Sequence, residues 1–263
     1  MRISRLFVNA AISMAVAGIM SAGVSAGNER EVLAPNGRLR VGVYPGSPLS
    51  MVRQTNTSET HGLSFDLGKA LAKQLDVPFE QVTYQRIADV LDGMKAGDID
   101  FTVSNATPTR ALDVAFSQTL LSLELGYLVP AVSPIVTTSD VDKPGIRVGV
   151  TQGSTSERTL PKILPNATVV PAQNLKYAIQ MFERRELDAF ATNKPILFEM
   201  SDQMSGARVL DGRWGVEHVA VAIPKGRESG MEYVRHFVED AQSSGLLAKA
   251  VEQAGLRGST EAK

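Results

Sequence analysis

The segment Arg40-Val41-Gly42-Val43-Tyr44-Pro45-Gly46-Ser47 recurs as Arg147-Val148-Gly149-Val150-Thr151-Gln152-Gly153-Ser154, with R-V-G-V-x-x-G-S as the shared pattern. In each copy a short β-branched run leads into Gly and Ser, which predicts a buried strand delivering the chain to a loop. The second copy continues Thr155-Ser156-Glu157, a helix start with hydroxyls for capping and a carboxylate in the first turn. A strand that ends at such a helix start presents unpaired N–H groups and the positive end of a helix dipole, a seat for an anion. A second pair of segments repeats in the same order, Leu91 to Asn105 and Ile179 to Asn193, aligning Asp100 with Asp188 and Asn105 with Asn193. Two units of one design predict two similar α/β lobes whose equivalent strand ends face each other.

Ahead of these units, Arg2 and Arg5 precede an apolar run from Leu6 to Met20 and then Val24-Ser25-Ala26. A basic start, an apolar stretch short for a bilayer span and a small-x-small site are the marks of a secretory signal peptide, cleaved after about Ala26. The chain of 263 residues has no Cys, which excludes disulfides, thiolate chemistry and a lipid-attachable thiol behind the apolar run. The mature chain is therefore expected to be exported, released and soluble. Losing Arg2 and Arg5 with the leader moves the formal charge from −1 to −3, and no basic stripe or aromatic-interleaved Lys/Arg cluster suggests nucleic acid.

Strands are predicted at Leu39–Val43, Phe79–Tyr84 and Ile99–Val103, with Tyr44 to Glu59 as a loop. Helices are predicted from Gly62 through about Leu75, where Leu67, Leu71 and Leu75 share a face, and over Ala88–Ala96, stopped by Gly97. Alternating strands and helices indicate a largely parallel sheet, and ligands bind such sheets beyond the carboxyl ends of the strands. Leu125–Val129 predicts an outgoing crossing strand, Leu175–Arg184 a helix and Leu187–Ala191 a strand ending at Asn193. Trp214–Ile223 returns to the first lobe, and Met231–Ala241 and Gly245–Ala254 are amphipathic helices packing on it.

Beyond the strand at Val103 lie Asn105-Ala106-Thr107-Pro108-Thr109-Arg110 and then Phe116-Ser117. Here the chain resembles the family-3 extracellular solute-binding proteins, the receptors of polar amino-acid ABC importers, whose pattern is roughly T-x-T-P-E-R followed by F-S-x-P-Y. Gly62-x-x-x-Phe65-Asp66-Leu67, Ala96-Gly97-Asp98-Ile99-Asp100, Val148-Gly149-Val150-x-x-Gly153-Ser154-Thr155, Val219 to Gly226 and Gly245-Leu246-Leu247 also fit. The resemblance spans essentially the whole mature chain. It implies an α/β fold, a two-lobed type II periplasmic binding protein clamshell hinged on two crossing segments. Lobe 1 would be discontinuous (27–128 plus 220–263), and 129–219 would form lobe 2 with its hinge segments. Such a receptor carries a small solute to an inner-membrane ABC permease without a cofactor, a metal or a catalytic residue.

The resemblance further implies that the guanidinium of Arg110 forks around a ligand carboxylate, a task suited to a planar, always-charged, bidentate donor. Asn105 and Thr107 would add hydrogen bonds, the helix start at Ser154-Thr155 would close from the other lobe, and Tyr44 would supply the aromatic of the first loop. Read from the residues alone, Arg110 has an alternative in a surface salt bridge with Asp113, and Thr155 in a plain helix cap. Three departures bear on the ligand. The position at which amino-acid receptors usually carry an Asp for the α-ammonium is Asn193, which supplies no charge. Leu120 and Leu121 stand where an aromatic often follows F-S-x-P, and the first loop lacks the usual aromatic near its end. Three outcomes stay open: an organic acid, an amino acid held by another acid such as Glu199 or Glu59, or an amino acid bound through fewer contacts.

Two other functions share the same frame. Exported cyclohexadienyl or arogenate dehydratases resemble the family, and their chemistry needs a general acid in the cleft, for which Glu199 and Lys194 are the candidates. A ligand sensor docking on a membrane receptor is the third. His61, His218 and His236 have no metal-ligand spacing, and no G-x-S-x-G or phosphate loop occurs. Trp214 is expected to pack near the hinge.

Overall fold

The structure, a computed structural model, describes residues 26–53 and 58–261. The leader read in residues 1–26 lies outside the described residues except for Ala26, the first residue of the opening helix. The chain opens with helix α1 (Ala26–Leu33) and strand β1 (Leu39–Val43), then a small hairpin of β2 (Val52–Arg53) and β3 (Thr60–His61) inside the expected loop. Helix α2 (Leu63–Gln74), strand β4 (Phe79–Thr83), helix α3 (Ile87–Ala96) and strand β5 (Thr102–Asn105) follow. Gly97, at φ 80, closes α3 in the left-handed conformation that glycine adopts without strain.

A single 16-residue strand, β6 (Val114–Val129), leads to β7 (Arg147–Thr151), α4 (Thr155–Ile163), β8 (Thr168–Ala172), α5 (Leu175–Glu183) and β9 (Ala189–Asn193). Helix α6 (Lys194–Gln203) starts directly from β9, and β10 (Arg208–Val209) and β11 (Gly215–Pro224) bring the chain back. Helices α7 (Met231–Ser243) and α8 (Leu246–Gln253) and strand β12 (Ser259–Glu261) complete it.

Three expectations shift. The strand expected at Ile99–Val103 is displaced to Thr102–Asn105, because Phe101 makes only an isolated bridge to Val41. The crossing strand expected at Leu125–Val129 is the last third of β6, and Leu187–Ala191 moves to Ala189–Asn193. Helix α6 is unanticipated, although Asn193 followed by Pro195 is an N-terminal signal.

The strand order β5-β11-β6-β9-β7-β8 shows how the halves are joined. The first part of β6 pairs antiparallel with β11, from Val114↔Pro224 onward, while Leu125 to Leu128 pair with Asn193 to Phe190 of β9. Strands β6 and β11 thus cross side by side from one half to the other. Register shifts at Val219/Ala220 and Ala220/Ala222 put the extra residues on β6, which bulges at the crossing, and Ser117 Oγ accepts the Val221 N–H there at 3.1 Å. Beyond the crossing, β1 and β4 are parallel in one half, and β9, β7 and β8 are parallel in the other.

Each half has its own core. Leu39, Val41, Leu67, Phe101, Val221 and Phe237 are buried together in the first, and Tyr127, Val148, Val150, Leu160 and Ala191 in the second. A further apolar cluster draws on both, with Ile87, Val90 and Met94 of α3 beside Leu175, Phe182 and Ile196. Arg86 at the start of α3 also donates to Gln152 Oε1 at 2.6 Å across the same seam. The two halves are closed on each other. Trp214 packs 6.3 Å from the Tyr127 ring and donates its indole N–H to the Gly126 carbonyl at 2.9 Å, beside the crossing.

The repeat seen in the sequence is a repeat in three dimensions. Arg40 donates its backbone N–H and Nε to one oxygen of Asp100 and Nη2 to the other, and Arg147 does the same with Asp188. The glycine of each R-V-G-V run lets the residue before that Asp approach the backbone. A Cβ on Gly42 would lie 2.2 Å from Ile99 Cδ1, and one on Gly149 2.5 Å from Leu187 Cδ1.

Candidate ligand cleft between the lobes

Strand ends β1, β5 and β9, the start of α4 and strand β11 converge on a cavity of about 40 Å³. Of the seven candidates, Tyr44, Asn105, Arg110, Ser154, Thr155 and Asn193 line it. Thr107 is not among the lining residues. It sits one turn earlier, and its Oγ1 accepts the Arg110 N–H at 3.2 Å, fixing the turn that aims Arg110 inward.

Arg110 is only 8% exposed, and its Nη1 donates to Ser104 Oγ at 2.9 Å and to the Asn105 carbonyl at 3.3 Å. Its buried Nε has no hydrogen-bond partner. The surface salt bridge with Asp113 does not form, because Asp113 pairs with Lys95 at 2.9 Å. Burial pushes the Arg110 pKa down, partly opposed by the negative charge of Glu217, yet a guanidinium remains charged at any ordinary pH. A buried cation with an idle donor is costly unless an anion meets it.

From the second lobe, Ser154 caps α4 by accepting the Glu157 N–H at 3.2 Å, and Glu157 in turn accepts the Gly153 N–H at 2.6 Å. The cap and the cavity wall are one residue. Tyr44 is buried, its hydroxyl against Ser47 Oγ at 3.3 Å, and desolvation raises its pKa.

The two asparagines do more than end their strands. Asn105 Nδ2 donates to Glu217 Oε1 at 3.0 Å and to Thr155 Oγ1 at 3.3 Å, the latter bridging the lobes. Asn193 Nδ2 donates to Glu217 Oε2 at 3.3 Å, while its Oδ1 accepts the Ile196 N–H as the cap of α6. Glu217 stands on β11, is 8% exposed and is the one carboxylate among the lining residues. Desolvation raises its pKa, opposed by Arg110 and by the Asn193 and Asn105 amides. The sequence reading did not single it out. Its signal was parity, because Glu217 shares a strand face with the buried Val219, Val221 and Ile223.

Glu199 and Lys194, the candidates for chemistry, lie elsewhere. Lys194 is tied to Glu124 at 2.7 Å, and Glu199 lines a separate depression with Arg53 and Asn174. Among the described residues no group of His, Cys, Asp and Glu is arranged to hold a metal.

Residues 39–255 match the model of the bacterial extracellular solute-binding proteins, family 3. The chain belongs to that family. A glutamine-binding protein of Geobacillus stearothermophilus is 28% identical over 216 residues, 79% of this chain and 81% of its own length. The ABC transporter glutamine-binding protein GlnH of Bacillus subtilis (strain 168) is 25% identical over 217 residues, covering 80% and 78% of the two chains. Among solved structures, the ancestral amino acid-binding protein AncCDT-1, a precursor of cyclohexadienyl dehydratase, superposes with a TM-score of 0.74 at 26% identity, covering 86% of this chain and 98% of its own. This family-3 protein is thus a two-lobed solute-binding protein of the amino acid ABC transporter type, a transport receptor and not an enzyme. The dehydratase alternative is not favoured.

Proposed function

We propose that this protein captures a small carboxylate-bearing solute, an amino acid or a related organic acid, in the cleft and delivers it to an inner-membrane ABC permease. The observation that carries the reading is the buried Arg110, whose Nε has no partner in the protein and whose fork opens on the cavity. Ser154 and Thr155 at the start of α4 meet the same carboxylate from lobe 2, where the helix dipole favours negative charge. Asn105 and Tyr44 complete the wall, Asn193 faces them from β9, and Thr107 holds Arg110 in register.

In this reading lobe 1 comprises 27–128 and 220–263, and lobe 2 comprises 129–219. A solute that touches both lobes favours the closed form by its differential contacts, with β6 and β11 as the hinge. The protein works as a monomer in the periplasm, after cleavage of the leader at about Ala26, and without a cofactor. The glutamine-binding relatives make L-glutamine the first solute to test.

A thermal-shift screen of the chain from Gly27 onward checks the reading. A ligand that binds only the folded form stabilises it by about 2.7 kcal/mol at a hundredfold excess over its dissociation constant. Carboxylate-bearing solutes should raise the melting temperature while amines and sugars lacking a carboxylate do not. Stabilisation by the latter group alone would contradict the carboxylate reading.

A further inference from the structure

The usual acid for an α-ammonium is replaced here by Asn193, yet a carboxylate still reaches the cavity from the crossing strand. We propose that Glu217 is the counter-charge for a ligand ammonium, so that the cleft holds a zwitterion between Arg110 and Glu217. The inference rests on the carboxylate reading of Arg110 and extends it to the opposite charge.

Four observations carry it. Glu217 and Arg110 line one cavity and are both buried, but no ion pair within 4.0 Å joins them. Each therefore keeps capacity for a group placed between them. The two oxygens of Glu217 are each held by one amide N–H, at 3.0 and 3.3 Å, which fixes the carboxylate and leaves further lone pairs on each oxygen. Those amides come from opposite lobes, Asn105 at the end of β5 and Asn193 at the end of β9, so the carboxylate is built only when the cleft is closed. Asn193 itself is spent, with Oδ1 capping α6 and Nδ2 on Glu217, and has no carbonyl acceptor aimed at an ammonium beyond that cap.

A buried carboxylate facing an ammonium gives a charge-assisted hydrogen bond, roughly twice as strong as a neutral one. Moving the acid from the end of β9 to β11 places it on a crossing strand. The ammonium is then read by the crossing itself, and the asparagines serve as its clamps.

The test compares wild type with Glu217→Gln and the charge-keeping Glu217→Asp. Calorimetric titration uses the twenty standard α-amino acids and the amine-free carboxylates glutaramate, glutarate and succinate. Far-ultraviolet circular dichroism verifies the fold of each variant. The expected result is that wild type binds at least one α-amino acid, that Glu217→Gln weakens it about tenfold or more, and that Glu217→Asp recovers part of the loss. Binding of any amine-free carboxylate stays within about twofold, or improves, because the change removes a negative charge. A residue that only latched the lobes would weaken both classes alike, and that outcome overturns the proposal. So does an amino-acid affinity unchanged in Glu217→Gln, or a wild type that takes only amine-free carboxylates, and in both cases Arg110→Ala still abolishes binding and the carboxylate reading stands. If wild type binds none of these compounds, both readings fall together.

Discussion

The two copies of the R-V-G-V-x-x-G-S unit are built alike and used differently. In both, an arginine grips the aspartate of a neighbouring segment through backbone N–H, Nε and Nη2, and a glycine makes room for the residue before that aspartate. In the first copy Asp100 has no exposed side-chain surface and takes a fourth donor, Arg227 Nη1, at 2.6 Å. In the second, the side chains of Arg147 and Asp188 are 41% and 33% exposed. The copies also part after their Gly-Ser. Ser47 and Ser50 fold back onto Tyr44 within a loop, whereas Ser154 opens a helix. The shared part is scaffold, and the chemistry sits where the copies diverge.

The widest expected gap lies between the two aspartates. Asp100→Ala leaves Arg40 and Arg227 without their buried partner and should cost about 3–5 kcal/mol in urea unfolding. Asp188→Ala should cost about 1 kcal/mol or less, because its pair is screened by water. Equal losses would break the comparison. Arg147 holds the Asp188 carboxyl below its ordinary value, so its contribution is present above about pH 4 and is lost as the pH falls through the lowered pKa.

Next come the glycines. Gly42→Ala and Gly149→Ala should each cost about 1–3 kcal/mol by overpacking. Adding Ile99→Val to Gly42→Ala removes the atom that the new Cβ would strike, so the pair should lose less than the two single changes summed. Strict additivity would show that the close approach is not what the glycine serves.

The caps differ by a smaller amount. Ser154→Ala removes the α4 cap and should cost about 1 kcal/mol. Ser47→Ala starts no helix and should cost less, the order being read from urea midpoints.

The smallest effect is electrostatic. Burial raises the Glu217 pKa above its unfolded value, so the folded state binds this proton more tightly than the unfolded one. The stability of wild type relative to Glu217→Gln should therefore fall as pH rises from about 4.3 through the raised pKa. Arg110, Tyr44, Asn105 and Asn193 are the groups facing it. An opposite slope would mean that Arg110 and the two amides outweigh desolvation.

Much of this was legible before the structure. Strand β1 fell where its β-branched run placed it, α2 followed the Leu67–Leu71–Leu75 face, and Gly97 ended α3. The alignment of Asp100 with Asp188 held because each answers an arginine that the same repeat supplies. What stayed hidden depended on partners distant in sequence. Strand β6 pairs with β11 along most of its length and with β9 at its end, within one sheet, so no local pattern marks its length. Residues 99–101 look like a strand by apolarity, yet only Phe101 finds a bridge. Helix α6 is hidden because Asn193 at a strand end reads as a ligand contact, while its side-chain carbonyl also caps a helix. Glu217 was passed over because a charge in a strand ordinarily faces water, and its burial follows from two amides more than 20 residues away in sequence.

The most direct test of the carboxylate clamp is calorimetry of Arg110→Ala beside wild type, with the carboxylate that stabilises wild type most in the thermal-shift screen. Truncating one partner of a buried, hydrogen-bonded charge pair costs about 2–5 kcal/mol, so affinity should drop about thirtyfold or more. The unliganded melting temperature should fall only modestly, because truncation loses the Nη1 bonds to Ser104 and Asn105 but removes a buried cation whose Nε has no partner within the protein. Affinity within about twofold of wild type, with the unliganded protein markedly destabilised, would make Arg110 a structural residue and contradict the account.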